Sequence, residues 1–557
     1  MDMNMDMDMD PYEKLKMNTK RYKKIKNLLK VVYGYNSFRP KQYEIINRII
    51  LGEDVCAILF TGLGKSITFQ ISALYLDEPA IIISPLISLM DDQRIILDKL
   101  GISSCCYNSN VPNKMDLRNE ILQFKYKLIY ITPEAIVNMK DFLKKLYDMQ
   151  GISLVAIDEA HCISSYGFDF RKSYRELTFL KEILPNTPIL ALTATATNIV
   201  GKDICKVLRL KTKKGELIKT SFDRPNLYLE VKQKSKNVDN DIIPIINKYA
   251  DESIIIYCVT KKETSKIAEI LKTHKIKCGI YHSGLDYDEK IETHQNFIKG
   301  NINVVVATIA FGMGINKLDV RVIIHYGSPQ SLESYYQEVG RAGRDGKKSY
   351  CYAFYNFRDF KIQEMLISTS DNTLYQKTQL QLLGKMKQYL TTKQCRKQVL
   401  LDYFDENLEN KCNFCDNCLG PHIKTETKIA TTKQNVHKET KYLIDLIESI
   451  KNKSFGIGMY INILRGSNSK TITPAMKKTK FYGAGKHRSL AWWKELVDNL
   501  IKLEYLEYVY LKSGNFPVQV IKTTKKATTW ANMADLDDVL NGMAVEKLEP
   551  MEMATSI

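Results

Sequence analysis

VCAILFTGLGKS, from Val55 to Ser66, is an apolar run that breaks into a glycine-bearing turn ending in Gly-Lys-Ser, and a helical stretch follows it. Glycines in such a turn let backbone N–H groups close around phosphate oxygens, and the start of the next helix adds a favourable dipole. In that geometry Thr61, Gly62, Leu63 and Gly64 form the cradle, Lys65 reaches the β- and γ-phosphates of ATP, and the Ser66 hydroxyl ligates Mg²⁺. The full pattern asks for glycine at position 59, where this chain has Leu59. The loop alone therefore does not separate a nucleotide site from a chance Gly-Lys-Ser turn.

Further along, LVAIDEAH (Leu154–His161) ends another apolar run in two carboxylates. Such a strand end places one carboxylate on Mg²⁺ and the other on an attacking water, roles that fall to Asp158 and Glu159. A phosphate loop upstream argues against a plain exposed acidic strand end. AIIISP, KLIYITP and PILALTAT are further compact apolar runs ending in small or polar residues. Continuous apolar runs separated by helices predict a parallel sheet buried on both faces. The pattern restarts at ESIIIYCVT and continues through KCGIYHS, INVVVAT and VRVIIHYG, so two successive α/β units are expected, with a seam near Phe222–Gln233.

The bulk numbers set bounds. At 557 residues the chain should hold three or four domains. Lysine and arginine outnumber acids 81 to 63, a net +18 that suits a polyphosphate partner, although a lysine-rich genome gives the same excess. No run approaches the roughly 18 apolar residues of a membrane span, so no membrane partner is expected. The opening MDMNMDMDMD has neither a basic start nor an apolar core, so no secretory signal is expected in it. The expected location is intracellular: nuclear in a eukaryotic cell, cytoplasmic otherwise. Residues 1–20 read as a disordered tail. So does 531–557, where Ala531–Ile557 holds six acids and one Lys.

Twelve cysteines in such a chain do not suggest a disulfide framework. Four of them, Cys395, Cys412, Cys415 and Cys418, are spaced x16, x2 and x2. Four soft thiolates suit tetrahedral Zn²⁺ and leave no position open for a catalytic water, so the zinc is expected to be structural.

DEAH together with LTATAT (Leu192–Thr197) resembles superfamily 2 helicases, and the surrounding segments resemble the RecQ family. GYNSFRPKQ (Gly34–Gln42) is similar to that family's adenine-reading element, which implies that Gln42 meets the adenine edge with Arg39 nearby. SPLISLMDDQ (Ser84–Gln93) and TPE (Thr132–Glu134) resemble strand-tracking motifs. HCISSYGFDFR (His161–Arg171) resembles an aromatic-rich loop that couples single-strand binding to hydrolysis, implying Tyr166, Phe168, Phe170 and Arg171 as nucleic-acid contacts. FDRPNL (Phe222–Leu227), YHSGL (Tyr281–Leu285), ATIAFGMGINKLDVR (Ala307–Arg321) and YYQEVGRAGRDG (Tyr335–Gly346) resemble elements of the second motor domain. There Arg341 and Arg344 would reach across the cleft to the γ-phosphate, worth about 10³–10⁵ in rate in related NTPases, and Gln337 would position water or phosphate.

The chain departs from the family pattern in two places. Its phosphate loop has Phe60 where the family has Pro and Leu63 where it has Gly. The aromatic loop has Tyr166 and Phe168 in place of Trp and His, which keeps stacking surfaces but loses a hydrogen-bonding ring.

The match runs roughly from Gly34 to Trp530. Near its end ILRGSNSK (Ile463–Lys470) and FYGAGKHRS (Phe481–Ser489) resemble the family's winged-helix module. YVYLKSGNFPVQV then reads as a hairpin turning at Ser513-Gly514-Asn515, and a helical packing domain is the alternative to the winged-helix module as a whole. The implied fold class is α/β. Two RecA-like parallel-sheet domains (21–222, ATP-binding, and 223–360) precede a zinc-binding helical domain (361–421), a linker (422–437) and a winged helix (438–530). No helicase-and-RNase-D C-terminal domain is expected. The implied activity is Mg²⁺-ATP hydrolysis coupled to 3′→5′ movement on single-stranded DNA and opening of duplex junctions, in DNA repair, recombination or replication. An RNA helicase and an ATP-regulated nucleic-acid-binding protein remain the alternatives, because no motif reads a 2′-OH. Protein partners are not implied.

Overall fold

The apolar runs become strands. In the computed structural model the described residues are 19–167, 169–212, 216–311, 317–368, 373–419, 431–434, 436–450, 455–469, 472–513, 516–536 and 551–554. β1 (Val55–Ile58), β2 (Ala80–Ile83), β3 (Ser104–Tyr107), β4 (Leu128–Ile131), β5 (Leu154–Ile157), β6 (Ile189–Thr193) and β7 (Leu217–Lys219) form one sheet in the order β3-β4-β2-β5-β6-β1-β7. All its pairings are parallel. A second parallel sheet joins β8 (Leu227–Gln233), β9 (Ser253–Cys258), β10 (Cys278–Tyr281), β11 (Val304–Ala307), β12 (Val320–Tyr326) and β13 (Ser349–Tyr355) in the order β10-β11-β9-β12-β13-β8. Every residue of β1, β2, β4, β5 and β6 is buried, as a sheet covered by helices on both faces requires.

The strands that the sequence reading did not pick out are β3, β7, β8 and β13, and three of them lie at sheet edges. Edge strands need less apolar surface: β7 has a single buried residue, and β8 is buried only over its first three. In the first sheet β6 separates β1 from β5. The phosphate loop after β1 and the acids after β5 therefore open into the same crevice at the carboxyl ends of the strands.

The chain divides into two compact units, residues 1–422 and 423–557. The first holds both sheets and the helices that lead into the cysteine cluster. Those helices follow the second sheet as Phe357–Ser368, Thr373–Thr391 and Arg396–Tyr403. The segment after them is clasped to the β8 edge: Cys415 bridges to Leu229, and the Val231 N–H donates to the Asp416 carboxylate at 2.9 Å.

The second unit has its own core around Trp492, Trp493, Tyr460 and Leu496. Helices His437–Ser449, Ile457–Leu464 and Leu490–Lys502 are followed by an antiparallel hairpin of Leu506–Ser513 with Phe516–Thr523. Residues 514 and 515 of the expected turn lie outside the described residues. The Trp493 indole donates to the Gly485 carbonyl at 3.1 Å, and a Cβ at Gly485 would come within 2.3 Å of that ring, so only glycine fits. Helix Lys525–Leu536 runs past the boundary expected at Trp530. Met551–Ala554, in the stretch expected to be a disordered tail, pairs antiparallel with Thr431–Gln434, in the stretch expected to be linker. Alternating Met with polar residues there is compatible with a strand, a pattern that acid-rich composition concealed. Of the opening tail, Thr19 and Lys20 cap and begin helix Lys20–Tyr33 instead of being disordered, and the rest of the two tails lies outside the described residues. No helix among the described residues is long and apolar enough to cross a membrane.

Candidate active site

Leu59 ends β1 with its N–H bonded to the Thr193 carbonyl at 2.9 Å, and the chain then turns through Phe60–Gly64 into helix Lys65–Tyr75. Gly62 and Gly64 take φ of 94° and 86°, left-handed values that a side chain resists. The loop is held from below by Gln42. Its amide donates to the carbonyls of Leu63 and Gly64 at 2.9 and 3.1 Å, and its oxygen accepts the Arg39 N–H at 2.9 Å. The Arg39 guanidinium donates to the Gly62 carbonyl. Gln42 thus binds the phosphate loop itself here. Leu63 drops its side chain into the core of the first sheet. The Thr61 hydroxyl is buried without a hydrogen-bond partner among the described residues. An orphaned hydroxyl beside two left-handed glycines is what a phosphate cradle offers its ligand.

Asp158 and Glu159 stand at the end of β5 near Lys65. Burial, then the neighbouring Glu159 charge, pushes Asp158 up to about 6 against the pull of Lys65. Burial also works against the Glu159 charge, but His161, Lys65 and Arg341 outweigh it and hold that carboxyl at about 2. Two crowded carboxylates beside a lysine and the Ser66 helix start fit a divalent cation such as Mg²⁺. Glu159 has φ 49°, an αL backbone rare outside glycine and asparagine. Tyr174 fixes this corner from the core. It is fully buried and its hydroxyl donates to the Asp158 carbonyl at 2.8 Å, which removes it from the exposed aromatics. His161 lies 3.2 Å from Glu159 and 2.9 Å from the Thr193 hydroxyl, which links the acid pair to the LTATAT strand.

The second sheet's arginines meet the loop from the other side. A Cβ on Gly62 would lie 3.0 Å from Arg344 Cγ, and one on Gly340 would lie 3.1 Å from Thr61. Burial, followed by the charges of Arg341 and Arg224, pushes the Arg344 guanidinium down to about 9. Three cations crowded at a phosphate loop favour an anion there. Gln337 is half-buried on helix Leu332–Val339, just before these arginines. Arg224 holds the arginine loop by donating to the carbonyls of Ala342, Gly343 and Gly340 at 2.9, 3.0 and 3.4 Å, and its guanidinium carbon lies 5.5 Å from the centre of the Phe60 ring.

Of the aromatic loop, Tyr166 is 59% exposed, Phe170 and Arg171 are half-buried, and Phe168 lies outside the described residues. Arg171 donates to the Pro85 carbonyl at 3.4 Å, which joins this loop to the SPLISLMDDQ segment. The structure therefore brings Lys65, Asp158, Glu159, Arg341 and Arg344 together and leaves the aromatic loop to one side.

Cys395, Cys412, Cys415 and Cys418 offer sulfur atoms all within 4.8 Å of one another, with Cys412 and Cys418 at 3.8 Å. That is about the sulfur–sulfur edge of a tetrahedron built on Zn–S bonds of ~2.3 Å. Hydrogen bonds from Cys412 and from backbone N–H groups lower the Cys415 thiol, while the Cys415 hydrogen bond raises Cys412 and burial raises Cys418, so the cluster gathers one negative charge by itself and needs a cation to hold four. The cluster is braced by a two-point Arg396–Asp416 pair at 2.9 and 3.1 Å.

Comparison with known proteins agrees with this geometry. Residues 39–202 match the DEAD/DEAH box helicase family, 237–346 the helicase conserved C-terminal domain, 357–419 the RecQ zinc-binding family and 430–534 the RQC domain. The chain is 36% identical to the ATP-dependent DNA helicase RecQ of Haemophilus influenzae, over 90% of this chain and 78% of that protein. The chain belongs to the RecQ helicase family. It is also 66% identical, over 99% of its length and 100% of the relative's, to R290 of Acanthamoeba polyphaga mimivirus, provisionally named an ATP-dependent RNA helicase. Among solved structures, yeast Dbp5 bound to RNA and ADP BeF3 shares the fold of the two sheets, with TM-score 0.50 and 19% identity over 64% of this chain and 96% of that one. As a RecQ-family member the chain is an ATP-dependent helicase, and its zinc-binding segment carries four cysteines that fit Zn²⁺.

Arg224, His161 and Tyr174 were not assigned roles from the sequence. Arg224 and His161 lie inside the quoted FDRPNL and DEAH segments, but their partners come from distant elements. Only the folded chain identifies those contacts.

Proposed function

We propose that this RecQ-family helicase moves 3′→5′ on single-stranded DNA and opens duplex junctions, with the two sheets as its hydrolytic jaws. The observation that carries the reading is the approach of Arg344 to Gly62, which puts the charges of one sheet on the phosphate loop of the other. Lys65 and the loop residues Thr61, Gly62, Leu63 and Gly64 hold the phosphates, and Ser66 and Asp158 hold Mg²⁺, which supplies charge neutralisation. Glu159 takes the proton of the attacking water, which Gln337 orients. Arg341 and Arg344 stabilise the charge that develops on the transferring group. Arg39 and Gln42 serve the adenine. For Gln42 this requires its amide to turn from the loop carbonyls. Tyr166, Phe168, Phe170 and Arg171 contact the strand, where stacking tolerates any base.

DNA is favoured over RNA because zinc-binding and RQC segments accompany the motor in this chain, and the bacterial RecQ relatives that match about nine-tenths of it are named DNA helicases. RNA is the second reading, favoured by the name of the mimivirus relative. The test is unwinding of matched DNA and RNA duplexes bearing 3′ or 5′ single-stranded tails, with ATP. Opening of 3′-tailed DNA alone is expected. Preference for RNA, or for 5′ tails, would overturn the corresponding half of the proposal.

A further inference from the structure

Helix Lys20–Tyr33, KRYKKIKNLLKVVY, precedes the phosphate loop and carries none of the assigned site residues. It contains six Lys or Arg and no acid, against a net +18 for the whole chain. Lysine enrichment alone does not account for it: helices Lys261–Thr273 and Lys140–Gln150 are also lysine-rich, yet carry Glu263 and Glu269, and Asp141 and Asp148. The helix is firmly seated. Tyr22, Ile25 and Leu29 are buried, the Thr19 side chain caps its start by accepting the Tyr22 N–H, Gly34 closes it, and the Tyr33 hydroxyl donates to Gln70 at 3.0 Å. The opposite face presents Lys20, Lys23, Lys24 and Lys30, all exposed.

This charge pattern works against the helix that carries it. Lys20, Arg21 and Lys23 crowd the N-terminal turns, where the helix dipole disfavours cations. Lys20 and Lys24, and Lys26 and Lys30, are like charges four residues apart, which repel. Among the described residues no carboxylate pairs with any of the five lysines; Lys24 and Lys26 lie over the rings of Tyr75 and Tyr22 instead. A rigid, single-signed face that costs its own helix stability is suited to a polyanion.

We propose that this face is a second contact for the nucleic-acid backbone, one that holds phosphates without reading bases. It rests on the reading of the chain as a nucleic-acid motor. The partner chemistry is a run of phosphodiesters, from either a single strand or a duplex flank.

The test combines Lys20→Gln, Lys23→Gln, Lys24→Gln and Lys30→Gln in the full chain. Binding to a single-stranded DNA and to a blunt DNA hairpin is followed by fluorescence anisotropy between 50 and 250 mM salt. Each phosphate that is no longer neutralised lowers the slope of log K against log salt by about 0.9 on duplex or 0.7 on single strand, so a fall of roughly 2–4 is expected on the form that this face binds. Affinity at low salt should drop at least about tenfold. The substrate showing the drop tells duplex from single strand. Basal ATPase, measured without nucleic acid, should be unchanged, and the melting temperature should hold or rise, because repulsion has been removed. That opposite movement of binding and stability separates a nucleic-acid surface from a structural one. Unchanged slopes on both substrates, or a lowered melting temperature with weakened binding, would overturn the proposal. Failure of the unmutated chain to bind any nucleic acid would instead overturn the functional reading beneath it.

Discussion

The cysteine cluster and the phosphate cleft are both built from a few polar side chains in a largely apolar unit, yet they are assembled differently. The cluster takes its four sulfurs from one short stretch, Cys395 to Cys418, closed on itself and strapped to the β8 edge. The cleft takes residues from either side of two sheets, Lys65 and Asp158 from one and Arg344 from the other. A closed set of four thiolates fixes a distance. A set divided between two bodies makes chemistry depend on how closely they approach. The first is suited to hold order and the second to convert closure into hydrolysis.

The sharpest way to break this contrast is to remove the chemistry while leaving the order. Lys65→Ala should lower ATPase by at least about 100-fold and abolish unwinding, with the fold and strand binding intact, because phosphate stabilisation is electrostatic and local. Phosphate release and anisotropy on the same preparation check it. Substantial strand-stimulated turnover in this variant would show that the loop is not the nucleotide site.

The converse is to remove order while leaving the chemistry. Cys412→Ser should release about one zinc per chain and loosen residues 357–419, since a structural zinc site supplies folding free energy directly. Elemental analysis and limited proteolysis report both effects. The soluble remainder should keep nucleotide binding through Lys65. An unmutated protein that is active without bound zinc would remove the basis for calling this site structural.

A third substitution asks whether the cleft senses the strand through the aromatic loop. Replacing Tyr166 and Phe168 with Ala should cut stimulation by DNA roughly tenfold, the scale of losing one or two stacked bases, while the DNA-free rate holds. Equal loss of both rates would give the loop a folding role instead.

Legibility from sequence follows the same division. The cysteine spacing could be read directly because its four candidate ligands lie in one stretch, whereas the Gly-Lys-Ser turn needed the distant motifs beside it to be read as a nucleotide site. The central strands were legible because a strand buried on both faces must be continuously apolar, as in AIII and LVAI. β3, SCCY, escaped notice because an edge strand with cysteines carries little apolar signal. Tyr174 stands just past the aromatic loop, and no pattern of residues shows that its hydroxyl is spent on the Asp158 carbonyl. Gln42 was read as facing adenine, and only the folded loop shows its amide on Leu63 and Gly64.

The smallest expected effect concerns Phe60, where the family has proline. Its N–H donates to the Thr220 hydroxyl at 3.3 Å, and its ring faces Arg224, the residue that holds the arginine loop by three carbonyls. A guanidinium over an aromatic face contributes about 0.5–2 kcal/mol, more as water is excluded. Here that contact ties the phosphate loop of one sheet to the arginine loop of the other, so it favours the closed cleft before any strand binds. Phe60→Pro removes both the ring and the N–H, whereas Phe60→Leu removes only the ring's charge distribution. Both should lower the DNA-free kcat/KM for ATP about two- to tenfold, and both should recover at saturating DNA, where strand binding supplies the closure. Phe60→Tyr, which keeps the aromatic face, should stay near the unmutated rate. If Leu matched Phe in the DNA-free assay, the ring would be simple packing, and closure of this cleft would owe nothing to the substitution of proline.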